Sequence, residues 1–401
     1  MQARRALMET RGRWDRGLVS LPIAGNVMLE SATDVSATRI AAPESDTTAR
    51  LTRIWQEMLG VESIGPEQNY FDLGGDSILA VQLFIRIEQE FNVKLPLATL
   101  FDAPTIRELA EVLERETSAS GWSPLVAIQP DGSRPRLFCI HGADGNVLIY
   151  RNLSRHLGPD QPFYGLQCRG LDGSCPPLTR IEDMASLYIK EIRRAQPHGP
   201  YFLGGYCMGG TIAFEVAQQL QAAGERIGLL ALFDTTDWSK IPAPSFWGKS
   251  YRAVQRLVFH AANFLRLDSQ GKAKFLSEKA RAFRNRIPVW RGRLLATFDK
   301  HSRASTSQSR VSGQIWRAND LACVNYVPKP YSGMLTDFRP IKQYRMYDQP
   351  NAKWDLLAQG GHEVVVLPVY PAGMLLNPFV EHLAVVLKQS IDDAIRRCQA
   401  R

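Results

Sequence analysis

The string that most constrains this chain is Tyr201-Phe202-Leu203-Gly204-Gly205-Tyr206-Cys207-Met208-Gly209-Gly210, running on into Thr211-Ile212-Ala213-Phe214-Glu215. An apolar run meets an amphipathic one across a corner too short for an ordinary loop. A strand that feeds a helix this abruptly strains the residue at the corner, so the residues two before and two after it must be small. Gly205 and Gly209 meet that demand and leave Cys207 at the corner. A glycine-rich turn with a merely buried cysteine is the plainer reading. The strand–turn–helix setting favours a nucleophile instead.

Alternation of this kind runs from about residue 126 onwards. Strand candidates are Leu137–Ile140, Phe163–Leu166, Tyr201–Leu203, Leu229–Phe233, Met334–Phe338 and Val364–Val369, with helices at Ile181–Arg194 and Thr211–Ala223. Strands alternating with helices predict a mostly parallel sheet covered on both faces. The interval from about 237 to 325 breaks the alternation. It is basic, helical and aromatic-rich, as expected of an insertion over one end of the sheet.

Upstream the pattern is all-helical. A periodic run through Leu51, Ile54, Trp55 and Leu59 ends at Gly60. A second helix starts at Ser77, with Ala80, Leu83, Phe84, Ile87 and Phe91 on one face. A third follows Pro104, through Ile106, Leu109 and Leu113. This predicts a small helical bundle over residues 46–118, preceded by a small-residue and polar leader or linker at 1–45, expected to be disordered, and followed by a linker at 119–126. The larger domain is expected over 127–397.

Charge divides the chain. Residues 46–118 carry about 13 acidic and 6 basic side chains, and residues 240–317 about 3 and 17. The net +8 is therefore concentrated in one segment. No nucleic-acid recognition motif accompanies it, so a nucleic-acid partner is not expected. The excess of bases over 240–317 suits solvated faces or attraction to the acidic bundle. No apolar run approaches bilayer length, so neither a membrane span nor a secretory signal is expected, and the location is read as cytoplasmic. The six cysteines form no CxxC pair and fit no zinc site, so no metal is expected.

Two strings resemble known families. Phe71-Asp72-Leu73-Gly74-Gly75-Asp76-Ser77-Ile78-Leu79 lies some way after the helix RLTRIWQEMLGV. By spacing alone, Ser77 is a helix-capping serine beside acidic neighbours. The whole stretch, however, resembles a peptidyl carrier protein. That likeness implies 4′-phosphopantetheine on Ser77, donated by a phosphopantetheinyl transferase, and contact with partner domains through Ile78, Leu79 and the region Phe101–Pro104. From about 126 to 396, LFCIHGADGNVLIYRNL, QPFYGLQ and GPYFLGGYCMGGTIAFEVAQQL resemble the type I thioesterase domains of peptide and polyketide synthetases. The likeness implies an α/β-hydrolase fold with a helical lid at about 237–325, preceded by a small four-helix carrier domain. It also implies Cys207 as nucleophile and Asp234 as the acid of the catalytic set. Met208 and Ala143 would supply the oxyanion-hole amides.

The family pattern breaks at one place. Its histidine belongs on the loop after the last strand, and Pro371 fills that slot in VLPVYPAGML. Of the seven histidines, only His141 lies near the expected site, either as a brace for the oxyanion loop or as an auxiliary base. A thiol at a helix N-terminus is expected to have a lowered pKa and to need less help from a base than serine does. Activating water needs a base more than thioester exchange does. The expected activity is therefore transfer of an acyl or aminoacyl group from the carrier, through Cys207, to an acceptor carrier protein or small molecule, within non-ribosomal peptide synthesis. A hydrolysing or macrocyclising terminal thioesterase and an inactive docking domain are the alternatives. Adenylation or upstream synthetase modules would have to load the carrier.

Overall fold

The computed structural model describes residues 46–75, 77–93, 95–115, 123–235, 246–273, 275–277, 280, 307–341, 354–370 and 373–400. The expected leader at 1–45, the lid residues 237–245 and 281–306, and the slot at Pro371 lie outside them.

Four helices make the N-terminal bundle: α1 (Asp46–Leu59), α2 (Ser77–Phe91), α3 (Thr99–Asp102) and α4 (Ile106–Arg115). Helix α1 buries Leu51, Ile54, Trp55 and Leu59, the stripe that its periodicity predicts. Helix α4 starts on a capping box. The Thr105 amide donates to Glu108 at 3.0 Å, and the Glu108 amide donates back to the Thr105 hydroxyl at 3.2 Å. Leu79 belongs to the bundle's own core at 6% exposure. That corrects its expected place on the outer docking face: the helical period turns it inward.

The larger domain is a seven-stranded sheet in the order β1-β3-β2-β4-β5-β6-β7. Its strands are β1 (Leu125–Gln129), β2 (Leu137–Ile140), β3 (Phe163–Leu166), β4 (Tyr201–Tyr206), β5 (Ile227–Phe233), β6 (Leu335–Pro340) and β7 (His362–Leu367). Only β1 is antiparallel, paired to β3. It begins inside the stretch expected to be linker, because LVAIQ is too short and too little buried to stand out in sequence. Helices α6 (Ile181–Ala195) and α7 (Met208–Ala222) cover one face, while α5 (Arg151–Leu157) and α11 (Val380–Gln399) cover the other. Between β5 and β6 lie the described lid helices α8 (Phe246–Arg266) and α9 (Ser307–Asn325); α10 (Trp354–Leu357) precedes β7. This is the α/β-hydrolase arrangement, with helices on both faces of a mixed sheet.

The two domains touch. Leu148, in a single 3₁₀ turn before α5, joins the bundle's core cluster, and Phe101 of α3 packs against the larger domain's second apolar layer. The Arg151 guanidinium lies 3.7 Å from the centre of the Phe71 ring, and Arg155 pairs with Asp72 at 3.6 Å. Phe101 thus sits where the resemblance put a docking residue. The charged contact among the described residues is made by α5.

Among the described residues no helix is long and apolar enough to cross a membrane. No cluster of three His, Cys, Asp or Glu able to hold a metal occurs among them either.

Candidate active site

Strand β4 runs straight into α7, and Cys207 is the junction, at φ 57° and ψ −118°. A non-glycine residue with this backbone is strained and is held only because its surroundings over-determine it. Those surroundings need the flanking glycines. A Cβ at Gly205 would sit 2.2 Å from Gly209 backbone atoms, and one at Gly209 would sit 2.2 Å from the Ile140 carbonyl oxygen. The Cys207 amide donates to the Phe233 carbonyl at 2.9 Å, which fixes the corner to the next strand.

Asp234 follows β5 and also has a left-handed backbone, at φ 46°. Its amide donates to the Phe338 carbonyl at 2.9 Å. Burial pushes its carboxyl up to about 6, and the charge of Asp337 adds to the rise. Asp234 is in turn the largest charged influence on the Cys207 sulfur.

The thiol itself corrects an expectation. Burial, and then the Asp234 charge, push Cys207 up to about 12, while the Met208 amide pulls the other way. The helix N-terminus favours a thiolate, but enclosure beside carboxylates outweighs it. Asp144 and Asp320 add smaller pushes in the same direction. Among the described residues no imidazole is one of these influences. As a residue, Cys207 is half-buried rather than sealed in the core.

The oxyanion loop runs from His141 to Asn146. The Ala143 carbonyl accepts a 3.0 Å bond from Asn319 of α9, so a lid residue fixes the loop. Asn146 donates to Asp144 at 2.7 Å. His141 is fully buried. Its Nδ1 donates to the Gly142 carbonyl at 2.6 Å, which leaves Nε2 to accept from the Tyr188 hydroxyl at 2.7 Å. Burial pushes its pKa down to about 4, so the ring is neutral at pH 7. Both nitrogens are occupied, and that geometry fits a brace better than a base.

Three further residues gave no sequence signal. Asn319 is one. Tyr150 is another: its hydroxyl donates to the Ile140 carbonyl at 2.5 Å and accepts from the Tyr206 amide at 2.8 Å. The third is Asn263 of α8, whose side-chain oxygen accepts from the Tyr370 amide at 2.9 Å, one residue before Pro371. Phe259 of the same helix stacks on Tyr370 at 5.2 Å. The lid therefore clamps the loop on which the family places its histidine. Tertiary contacts between residues this far apart leave no local pattern to read.

At the other turn, Gly74 has φ 92°, and a Cβ on Gly75 would lie 2.3 Å from the Tyr70 ring. The chain closes tightly there and releases α2 with Ser77 as its first residue. A serine at a helix start beyond a tight glycine turn fits covalent attachment of a phosphopantetheine arm.

Comparisons with known proteins agree with this division. Residues 49–113 match the phosphopantetheine attachment site, the domain that carries 4′-phosphopantetheine. Malpibaldin synthetase of Mortierella alpina is 39% identical over 228 residues, covering 55% of this chain and 4% of that protein. The dimodular nonribosomal peptide synthase of Bacillus subtilis (strain 168) is 42% identical over 184 residues, covering 46% of this chain and 8% of that protein. The chain thus spans under a tenth of the length of these relatives. A four-domain nonribosomal peptide synthetase, solved in its holo form with AMP and glycine, matches 94% of this chain and 27% of its own, at 24% identity and TM-score 0.54, which speaks to fold alone. Residues 135–364, more than half the chain, match the thioesterase domain, and the chain belongs to that family.

Proposed function

We propose that this chain takes an acyl or aminoacyl group from its carrier domain onto Cys207 and passes it to an acceptor thiol or amine, as a component of non-ribosomal peptide biosynthesis. Phosphopantetheine, when attached at Ser77, supplies a terminal thiol that can hold such a group as a thioester. The remaining chemistry belongs to the larger domain.

The Cys207 sulfur attacks the thioester carbonyl carbon. Its proton goes to the Asp234 carboxylate, the strongest charged neighbour of the sulfur and, at about 6, a better base than an ordinary aspartate. The Met208 and Ala143 amides face the developing oxyanion. The bond to the departing thiol breaks, the departing sulfur takes the proton from Asp234, and the acyl group remains on Cys207 as a new thioester. An acceptor then attacks that thioester in the same way. Each exchange of thioester for thioester is nearly balanced in energy.

The observation that carries this reading is the setting of the thiol: a strained elbow cysteine whose charged neighbours, among the described residues, are carboxylates and not an imidazole. At pH 7 a thiol titrating near 12 is ionised in only about one molecule in 10⁵, so attack requires proton removal in the same step. A carboxylate can do that for a thiol. Water, a far weaker acid, needs a stronger base.

The test is to load Ser77 with an acyl-pantetheine group and follow intact mass. The acyl group should move to Cys207 and then to an added acceptor, with little free acid. Fast Cys207-dependent release of free acid would establish a hydrolase instead. Placing histidine in the vacant family position, Pro371→His, should raise free-acid release at least about tenfold. A phosphopantetheinyl transferase and a module that activates the monomer are the partners this scheme requires.

A further inference from the structure

We infer that the face formed by Leu148, Arg151 and Arg155, on the segment that follows the oxyanion loop, is the docking site from which this chain's own carrier domain delivers its cargo to Cys207. Three independent contacts converge there. The Arg151 guanidinium caps the Phe71 ring at 3.7 Å. Arg155 pairs with Asp72 at 3.6 Å. Leu148 inserts into the apolar cluster of the carrier, while Phe101 of the carrier enters that of the larger domain. Cation–π contact, ion pair and exchanged apolar side chains together specify both position and orientation.

The carrier side of this contact is the turn that bears Ser77. Phe71 and Asp72 precede Ser77 by six and five residues. The other side is tied to the catalytic loop: the Leu148 amide donates to the Asn146 side chain at 3.1 Å, and Asn146 donates to Asp144. Docking therefore engages both functional turns at once.

The charges also select the class of partner. Arg151 and Arg155 lie one helical turn apart, so their like charges repel on a bare α5. Burial and Arg155 push Arg151 down to about 10, and Asp72 restores part of the loss. An acidic surface relieves that repulsion, and the carrier, with about twice as many acids as bases, is such a surface. An open pocket of about 140 Å³ lies beside the contact, between Phe101 and Pro104 on the carrier and Ile128 and Ser154 opposite.

The test uses the full chain with Ser77 loaded, loading being checked by intact mass. Two rates are compared: acyl movement from the carrier to Cys207, and acylation of Cys207 by a free acyl-pantetheine thioester added in solution. Asp72 and Arg155 are both well exposed, so charge changes there spare the core. Arg155→Asp should lower the ratio of the first rate to the second about tenfold, and the pair Asp72→Arg with Arg155→Asp should restore it to within about threefold. An unchanged ratio in Arg155→Asp, or no recovery in the pair, overturns the inference. The docking inference rests on the acyl-acceptor reading of Cys207 only for these kinetics. Failure of both rates in the unmutated chain would refute that reading and leave docking to a second measurement, hydrogen exchange of the unloaded chain. Amides of Leu148–Leu157 should exchange faster in Arg155→Asp than in the parent, and equal protection would overturn the docking site.

Discussion

Two glycine-flanked turns in this chain each hand over to a helix, and they place backbone strain in opposite positions. Before α2, the glycine Gly74 takes the left-handed conformation, at φ 92°, and Ser77 begins the helix in ordinary geometry. Before α7, the functional residue itself is strained: Cys207 stands at φ 57° while Gly205 and Gly209 merely make room. A residue that receives an arm from another enzyme needs access and a recognisable surrounding, and a relaxed helix start supplies both. A residue whose sulfur must meet a carbonyl beside fixed amides needs position. Strain there is tolerated because it points the side chain where the chemistry occurs.

The largest expected effect separates the two turns by chemistry. Cys207→Ala should reduce capture of the acyl group at least about 10³-fold, read by intact mass, while phosphopantetheine attachment at Ser77 proceeds unchanged. If acyl transfer to the acceptor persists, the carrier alone is passing its cargo on. Next comes the cost of filling each turn. Gly209→Ala drives a Cβ against the Ile140 carbonyl and should destabilise the fold by about 3 kcal/mol in denaturant titration, against about 1 kcal/mol for Gly74→Ala, which places an L side chain at φ 92°. Equal costs would mean the elbow is no tighter than the carrier turn.

Cys207→Ser asks whether position alone suffices. Without an imidazole, a hydroxyl at the same corner should capture acyl groups about 10²-fold more slowly than the thiol. A serine variant as fast as the parent would reveal a base stronger than Asp234. The smallest effect carries a sign. Asp234 is charged above about pH 6, and its charge opposes ionisation of Cys207. Asp234→Asn should therefore speed alkylation of Cys207 by iodoacetamide about threefold at pH 8, yet slow acyl capture, because the proton acceptor is gone. Below about pH 5, where Asp234 is already protonated, parent and variant should alkylate alike. Linkage runs the same way. A carboxyl whose folded pKa is raised stabilises the fold only while neutral, so that contribution is lost as pH rises from about 4 through 6.

Much of this was legible in the sequence because it is local. The buried stripe of α1 and the strand-to-helix corner at Cys207 lie within short runs whose period or spacing is readable, and the aspartate following LLALF comes from the family resemblance of the same short run. What was not legible is what folding brings together from afar. Asn319 reaches Ala143 across 176 residues, and Arg155 reaches Asp72 across 83. Strand β1 is five residues long and mostly half-buried, so its pattern does not stand above a linker's. The sign of the Cys207 shift was misjudged for a related reason. A helix start can be read from sequence, whereas enclosure beside Asp234, Asp144 and Asp320 exists only once the sheet and lid have assembled.

Tyr150 has a consequence beyond its two hydrogen bonds. Adjacent parallel strands must splay apart at their carboxyl ends to open a crevice, and β2 and β4 do so where the catalytic loop and the elbow diverge. A single phenolic oxygen is clasped by both sides of that fork, taking the Tyr206 amide and giving to the Ile140 carbonyl. The distance between the two sides of the fork is thereby set by one rigid ring, a spacer that neither glycine-flanked corner could supply for itself.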